Sequence, residues 1–371
     1  MMIPTEQHGA PRILLLAPNW LGDVVMTTPL LSLLSRARFG ARDVRAGIFL
    51  AVRPAWSPLF DADPRLAAVF PVERSGRHGG LAGVWRLARE LRELKADAIV
   101  IGPPSLRAGL VSRLAGIPQR FGYRTDGRGL FLNAGLDFPG RGHGHYSDQL
   151  VALGRALLVR LRGRVPDFSG PDTGPLLPGC ARQVVPGWDE GPPVWALGVG
   201  ATYGGAKAWP RAKVLEFIAT TVKRHRVRLV LLGEGPAYLG ESSGGLMVRR
   251  ELAGDAGVVD LVGRTSLPQV CDLLGRSRVF VGNDSGLMHL AAAMGTPTVG
   301  LFGSSDPNWT APLGDRTRVL KPDGFACSPC FRPECNQAQF CLDALAADGV
   351  LAAVEDLLES RTQPPGKERA T

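Results

Sequence analysis

At 371 residues the chain is long enough for two compact domains. Its 45% hydrophobic and 21% charged residues make an ordinary globular composition that excludes a fibrous or largely disordered protein. The net charge of +9 points to an anionic partner, but the basic residues are scattered and form no Lys/Arg block with interleaved aromatics, which weighs against nucleic acid.

Residues 1–11 are polar and read as a loose leader. Residues 12–18 (RILLLAP) are short, continuous and apolar, as a buried parallel strand is. The loop NWLGD follows, and residues 24–38 carry Val25, Leu30, Leu33 and Leu34 at helical spacing. Strand-like runs return at 46–52 and 98–101. Between them, residues 80–95 repeat Leu81, Val84, Trp85, Leu87, Ala88 and Leu91 with a helical period. This βαβ alternation predicts a parallel sheet covered by helices. The stretch 163–193 is dense in Pro and Gly and marks the crossing between domains. A second alternation follows: strand 194–200 with a glycine-bearing loop after it, helix 212–224, strand and turn 228–235, strand and loop 278–286, strand 296–303. The expected organisation is an N-terminal domain over 12–180, a linker over 181–193, a C-terminal domain over 194–360 and a disordered tail over 361–371. No run reaches the roughly 18 apolar residues that span a bilayer. Residues 13–17 are too short for a signal-peptide core. The expected location is cytoplasmic, with room for a peripheral membrane contact.

Ligands of doubly wound sheets bind beyond the carboxyl ends of the strands, and that rule selects four loops. In 283–289 (NDSGLMH), Ser285 is placed to cap the next helix and Gly286 lets the backbone approach a ligand closely. The free N–H groups and dipole of that helix start suit a phosphate. His289 stands one turn in on the same face, and Asp284 either orients the loop or reaches the ligand. In 19–28 (NWLGDVVMTT), Asp23 sits where a helix begins. It is either a helix-stabilising carboxylate or an ionised general base. In 202–210 (TYGGAKAWP), Gly204 and Gly205 form a flexible turn open to an anion, and Lys207 is either a solvated lysine or a point charge for a diphosphate. In 232–235 (LGEG), Glu234 is either exposed or an acceptor for ribose hydroxyls. No G-x-G-x-x-G fingerprint, P-loop or H-E-x-x-H is present, which argues against NAD enzymes, ATPases and zinc proteases.

Together, NWLGDVVMTTP near the start, ATYGGAKAWP opening the second half and VGNDSGLMHLAAAMGTPTVGLFGSSDP near the end resemble the bacterial heptosyltransferases that build the lipopolysaccharide inner core. The resemblance spans about residues 12–355. It implies an α/β GT-B fold, with two Rossmann-like domains whose parallel sheets face across a cleft. It also implies inverting transfer from ADP-heptose to a lipid A–core oligosaccharide, with no cofactor and no metal in the chemistry. Matched residue by residue, Asp284, Ser285, Gly286 and His289 would hold the diphosphate and ribose. Lys207 would be the phosphate-binding lysine, Glu234 would fall near the ribose-binding acid, and Asp23 would be the base. A related transferase with another donor or acceptor, or a non-catalytic sugar-nucleotide binder, shares these features, although Asp23 argues against the latter.

Two further groups stand out. Arg120, Arg124 and Arg128 crowd QRFGYRTDGRG and suit an acidic acceptor as well as they suit an exposed loop. Cys327, Cys330, Cys335 and Cys341 are spaced C-x2-C-x4-C-x5-C, which fits zinc or buried thiols. The second pair lacks the tight C-x-x-C of a zinc ribbon, and the segment resembles the second of the two core heptosyltransferases.

Overall fold

The computed structural model describes residues 10–164, 177–178, 180, 182–185, 191–200, 203–234 and 257–360. Most of the expected leader, most of the interdomain stretch and the tail lie outside the described residues. The chain divides into two compact units, Met1–Ala181 and Arg182–Thr371.

The first unit holds β1 (Arg12–Leu16), β2 (Gly47–Val52), β3 (Ala68–Pro71), β4 (Ala98–Ile101), β5 (Gln119–Tyr123) and β6 (Ala134–Leu136). All pairings are parallel, in the order β3-β2-β1-β4-β5-β6. The central strand β1 pairs Arg12 to Leu16 with Gly47 to Ala51 on one side and Ile13 to Leu16 with Ala98 to Ile101 on the other. A strand buried on both faces must be apolar throughout, which is why RILLL shows no alternation. Its helices are α1 (Leu21–Val25), α2 (Thr28–Arg36), α3 (Gly80–Glu93), α4 (Leu106–Leu114) and α5 (Tyr146–Arg160). Leu14, Leu16, Ile99 and Ile101 pack against Val84, Leu87 and Leu91 of α3.

The single helix expected over 24–38 is two. Pro29 has no N–H to give to Val25, and its ring crowds that carbonyl. The Thr28 hydroxyl donates to the Val25 carbonyl instead at 2.7 Å, and the Thr27 hydroxyl donates to Val24 at 2.6 Å. The break turns α1 into a short piece of its own and puts Asp23 in its first turn.

The second unit repeats the plan with β7 (Val194–Gly198), α6 (Arg211–Arg224), β8 (Arg228–Leu232), β9 (Val258–Asp260), α7 (Leu267–Arg276), β10 (Val279–Asn283), α8 (Gly286–Ala293), β11 (Thr298–Leu301), β12 (Thr317–Leu320) and α9 (Ala347–Glu359). Its sheet runs β12-β11-β10-β7-β8-β9, again parallel. Both units therefore have the Rossmann strand order, with the switch point between β1 and β4 in one and between β7 and β10 in the other. Among the described residues no helix is long and apolar enough to cross a membrane.

Arg128 is not in an exposed loop. It is 1% exposed, and its guanidinium donates to the carbonyls of Tyr123 (2.6 Å), Ile101 (3.3 Å) and Pro103. It ties the ends of β4 and β5 together. Replacing it with Met should cost the first unit about 3 kcal/mol, because buried carbonyls lose a charged donor. A urea titration followed by tryptophan fluorescence would register this as a lower midpoint.

Candidate functional site

The loops leaving β7 and β10 part at the second sheet's switch point, where such sheets open a crevice. Asn283, the last residue of β10, fastens the two loops. Its amide donates to the Gly200 carbonyl at 3.0 Å, and its side-chain oxygen accepts from the Trp209 N–H at 2.9 Å. Trp209 is in turn anchored through Nε1 to the Leu345 carbonyl at 3.0 Å. Across this frame Lys207 Nζ donates to Asp284 Oδ2 at 2.6 Å. Thr310 Oγ1 donates to the same oxygen at 3.3 Å, and His289 Nε2 lies 3.6 Å from Oδ1. Asp284 and His289 are both buried. Burial alone would push the Asp284 carboxyl up, but His289 and the Lys207 ammonium hold it well below the usual carboxylate range. Asp284 is thus an ionised anchor for three side chains, Lys207, Thr310 and His289.

Ser285 takes the N-cap position of α8 with extended backbone but makes no side-chain capping bond. The cap expected from sequence is right in place and unmade in chemistry, which leaves the first-turn N–H groups of α8 without that acceptor. Ser285, Gly286 and Leu287 are half-buried, while His289 beneath them is buried. Its Nδ1 and the hydroxyls of Ser304 and Ser305, just past β11, have no hydrogen-bond partner among the described residues.

The Lys207 loop is braced by the cysteine-rich segment. Lys207 Nζ lies 5.2 Å from the centre of the Tyr203 ring, and the Tyr203 hydroxyl donates to the Phe331 carbonyl at 2.8 Å. Ala206 N donates to the Pro333 carbonyl at 2.9 Å. The segment is fixed in turn by Ser328 Oγ on the Gly303 carbonyl and Phe331 N on the Ser304 carbonyl, both at 2.7 Å. Gly204, expected in a flexible turn open to an anion, is committed to this contact. Its φ is 150°, and a Cβ there would lie 2.2 Å from the Pro333 oxygen. Gly204→Ala should therefore cost about 1–3 kcal/mol of local strain and loosen the Lys207 loop. Faster amide exchange at residues 203–207 would report it. All six cysteines are free thiols, and burial raises the pKa of Cys341. Among the described residues no group of three or more His, Cys, Asp or Glu is arranged to hold a metal ion.

In the first unit Asp23 is the third residue of α1 and half-buried. Tyr146, at the start of α5, is its electrostatic neighbour. Burial and then the Asp23 charge raise the Tyr146 phenol, so it stays protonated at neutral pH. Nearby, Asn19, Arg53, Arg74 and Arg107 line a pocket at the carboxyl ends of β1 and β2. Arg74 donates to Asn19 Oδ1 at 2.6 Å. Burial, then the charges of Arg107 and Arg53, pull its pKa down. Among the described residues none of these three arginines pairs with a carboxylate.

The sequence matches the family model described as Glycosyltransferase family 9 (heptosyltransferase) over residues 84–340. The chain belongs to that family. It is a glycosyltransferase, and its two Rossmann-like domains are of the GT-B class. This family 9 enzyme is 30% identical to lipopolysaccharide heptosyltransferase 2 of Escherichia coli K12 over 323 residues, covering 84% of this chain and 88% of the relative. It is 29% identical to lipopolysaccharide heptosyltransferase 1 of Pseudomonas aeruginosa over 336 residues, covering 88% and 87%. The solved structure of the E. coli ADP-heptose LPS heptosyltransferase II is 25% identical, with a TM-score of 0.71, covering 95% of this chain and 100% of that one.

In this family 9 glycosyltransferase the structure gathers Lys207, Asp284, Ser285, Gly286 and His289 within one unit. Glu234 lies exposed just past β8, and among the described residues no hydrogen bond or ion pair joins it to Lys207, Asp284 or His289. The two arginines taken as acceptor contacts are occupied elsewhere. Arg120 donates to the carbonyls of Phe131 and Ile117 at 2.7 and 2.6 Å, and Arg124 donates to Asp137 at 2.9 Å. They brace the β5–β6 edge. Thr310, Tyr203, Tyr146 and the Arg53–Arg74–Arg107 group escaped the sequence reading. Only their folded neighbours mark them: Tyr203 stands inside TYGGAK, where nothing but its contact with Lys207 sets it apart, and the others stand outside the motifs read.

Proposed function

We propose that this enzyme moves a heptose from ADP-heptose to the lipopolysaccharide inner core with inversion at the sugar carbon. The observation that carries the reading is the Lys207–Asp284–His289 cluster beside the uncapped start of α8, in a chain of the heptosyltransferase family. ADP leaves carrying roughly three negative charges. First-turn N–H groups, Lys207 and His289 stabilise that charge without a divalent ion. Asp284 keeps Lys207 and His289 in place, while Glu234 serves the ribose. Asp23 takes the proton of the acceptor hydroxyl as its oxygen bonds to the anomeric carbon and the bond to ADP breaks. Inversion requires base and leaving group on opposite faces of the sugar. The acceptor is an acidic lipid-linked saccharide, and Arg53, Arg74 and Arg107 suit its anionic groups better than Arg120 and Arg124 do. The enzyme then works from the cytoplasm at the inner-membrane surface.

The test is to incubate the purified enzyme with ADP-heptose and a core acceptor carrying one heptose fewer, following ADP release and the mass of the acceptor. Stoichiometric ADP and an acceptor heavier by one heptose are expected. Transfer from another nucleotide sugar, with none from ADP-heptose, would replace this donor assignment.

A further inference from the structure

We infer that the outer face of α3 is a docking surface for a membrane bearing anionic lipid headgroups. The use made of that docking rests on the lipid-linked acceptor proposed above; the binding itself does not. Helix α3 turns Gly83, Val84, Leu87, Ala88 and Leu91 inward, the stripe an amphipathic helix buries. The opposite face of such a helix is ordinarily polar. Here the exposed arc, which begins roughly 20° past buried Ala88, carries Leu81, 83% exposed, and Trp85, 64% exposed, one turn apart. At about 100° per residue, Arg92 falls between them around the helix and Arg89 follows roughly 40° beyond Trp85. Arg89, Arg92 and Arg86 are all exposed.

The acids do not offset this charge. Glu90 is engaged by Arg77 and by His78 at 3.0 Å, so Glu93, which falls between Arg89 and Arg86 around the helix, is the acid left on this face, against three arginines. Apolar exposure continues beside the helix. Leu106, 49% exposed, begins α4, and Arg107 next to it donates to the Gly80 carbonyl at 3.0 Å, immediately before Leu81. Leu106 adjoins the turn that carries the fully presented Leu130.

A tryptophan and leucines ringed by arginines is the composition that settles at headgroup depth. The indole is apolar in body and polar at one edge, and the guanidinium groups meet lipid phosphates. A second copy of this chain fits less well, because a two-fold contact through this patch would set arginine against arginine. Anionic lipid complements the same charges.

Sedimentation with vesicles tests this on the full-length enzyme. Vesicles of phosphatidylethanolamine and phosphatidylglycerol, about three to one, should bind it at least tenfold more tightly than phosphatidylcholine vesicles. L81A/W85A and, separately, R89E should each lower that binding about tenfold. Both variants should keep the wild-type melting temperature and full activity on a delipidated, water-soluble acceptor, while losing activity on acceptor embedded in vesicles. Unchanged vesicle binding by both variants overturns the proposal. So does a wild-type dimer that L81A/W85A converts to monomer. If wild type transfers to neither acceptor form, the functional reading fails while the vesicle measurement still decides the docking surface.

Discussion

Replacing Asp23 with Asn is expected to lower kcat by about 10³-fold while leaving the affinity for ADP-heptose within about twofold. Asn keeps the shape of the side chain and removes the lone basic function. Position alone gives Asp23 two readings, since a carboxylate in the first turn of α1 also stabilises that helix. That structural contribution is worth only about 0.3–1 kcal/mol, too little to unfold the unit. A variant that folds, binds donor and fails to turn over therefore identifies a base. Tyr146 does not offer a substitute, because burial, the largest cause of its raised pKa, holds the phenol protonated even without the Asp23 carboxylate; a protonated phenol donates. Single-turnover rates with calorimetric donor binding separate the outcomes. If the Asp23→Asn enzyme transfers within tenfold of wild type, Asp23 is a helix-stabilising residue and the base lies elsewhere.

The inner strands of both sheets were legible in the sequence because strands buried on both faces leave a clear mark, whereas β3, β5, β6, β9 and β12, outer strands that are only partly buried, went unread. ILLL, AIVI and VFV run apolar without alternation, and each lies in a strand at a switch point. The loops after those strands were legible for the same reason: topology decides where ligands sit before any side chain is known. What a loop residue touches was not legible. Nothing in TYGGAK says that Gly204 must admit the carbonyl of Pro333, which lies far along the chain. Arg128 shares a segment with Arg120 and Arg124, yet it is buried against three carbonyls while Arg124 faces Asp137 near the surface. Composition cannot separate them, because a guanidinium serves a backbone carbonyl as readily as an anionic ligand. The same limit hid Thr310, which reaches Asp284 from a helical turn at Pro307–Thr310, outside any motif.

The Lys207–Asp284 pair carries the other large expected effect, and a double replacement separates its two functions. Lys207→Ala should destabilise the second unit by about 3 kcal/mol, because it leaves the buried Asp284 charge without its closest partner. The same variant should bind ADP-heptose about 10- to 100-fold more weakly if the ammonium also meets the diphosphate. Adding Asp284→Asn removes the stranded charge, so most of the stability should return while donor binding stays weak. The pH dependence follows from the direction of the shift. In wild type the folded Asp284 carboxyl lies below its unfolded value. It thus contributes stability at all pH above the ordinary carboxylate range, near ~4, and loses it as pH falls further. Without Lys207 the lowering is smaller, because His289 alone is left to offset burial, so the gap between wild type and Lys207→Ala should narrow as the medium is made acid. Urea titrations at neutral pH and near pH ~3.5 read both quantities. Equal losses in the single and double variants at every pH would mean that the lysine contributes by packing its chain against Tyr203, with no electrostatic share in holding the loop.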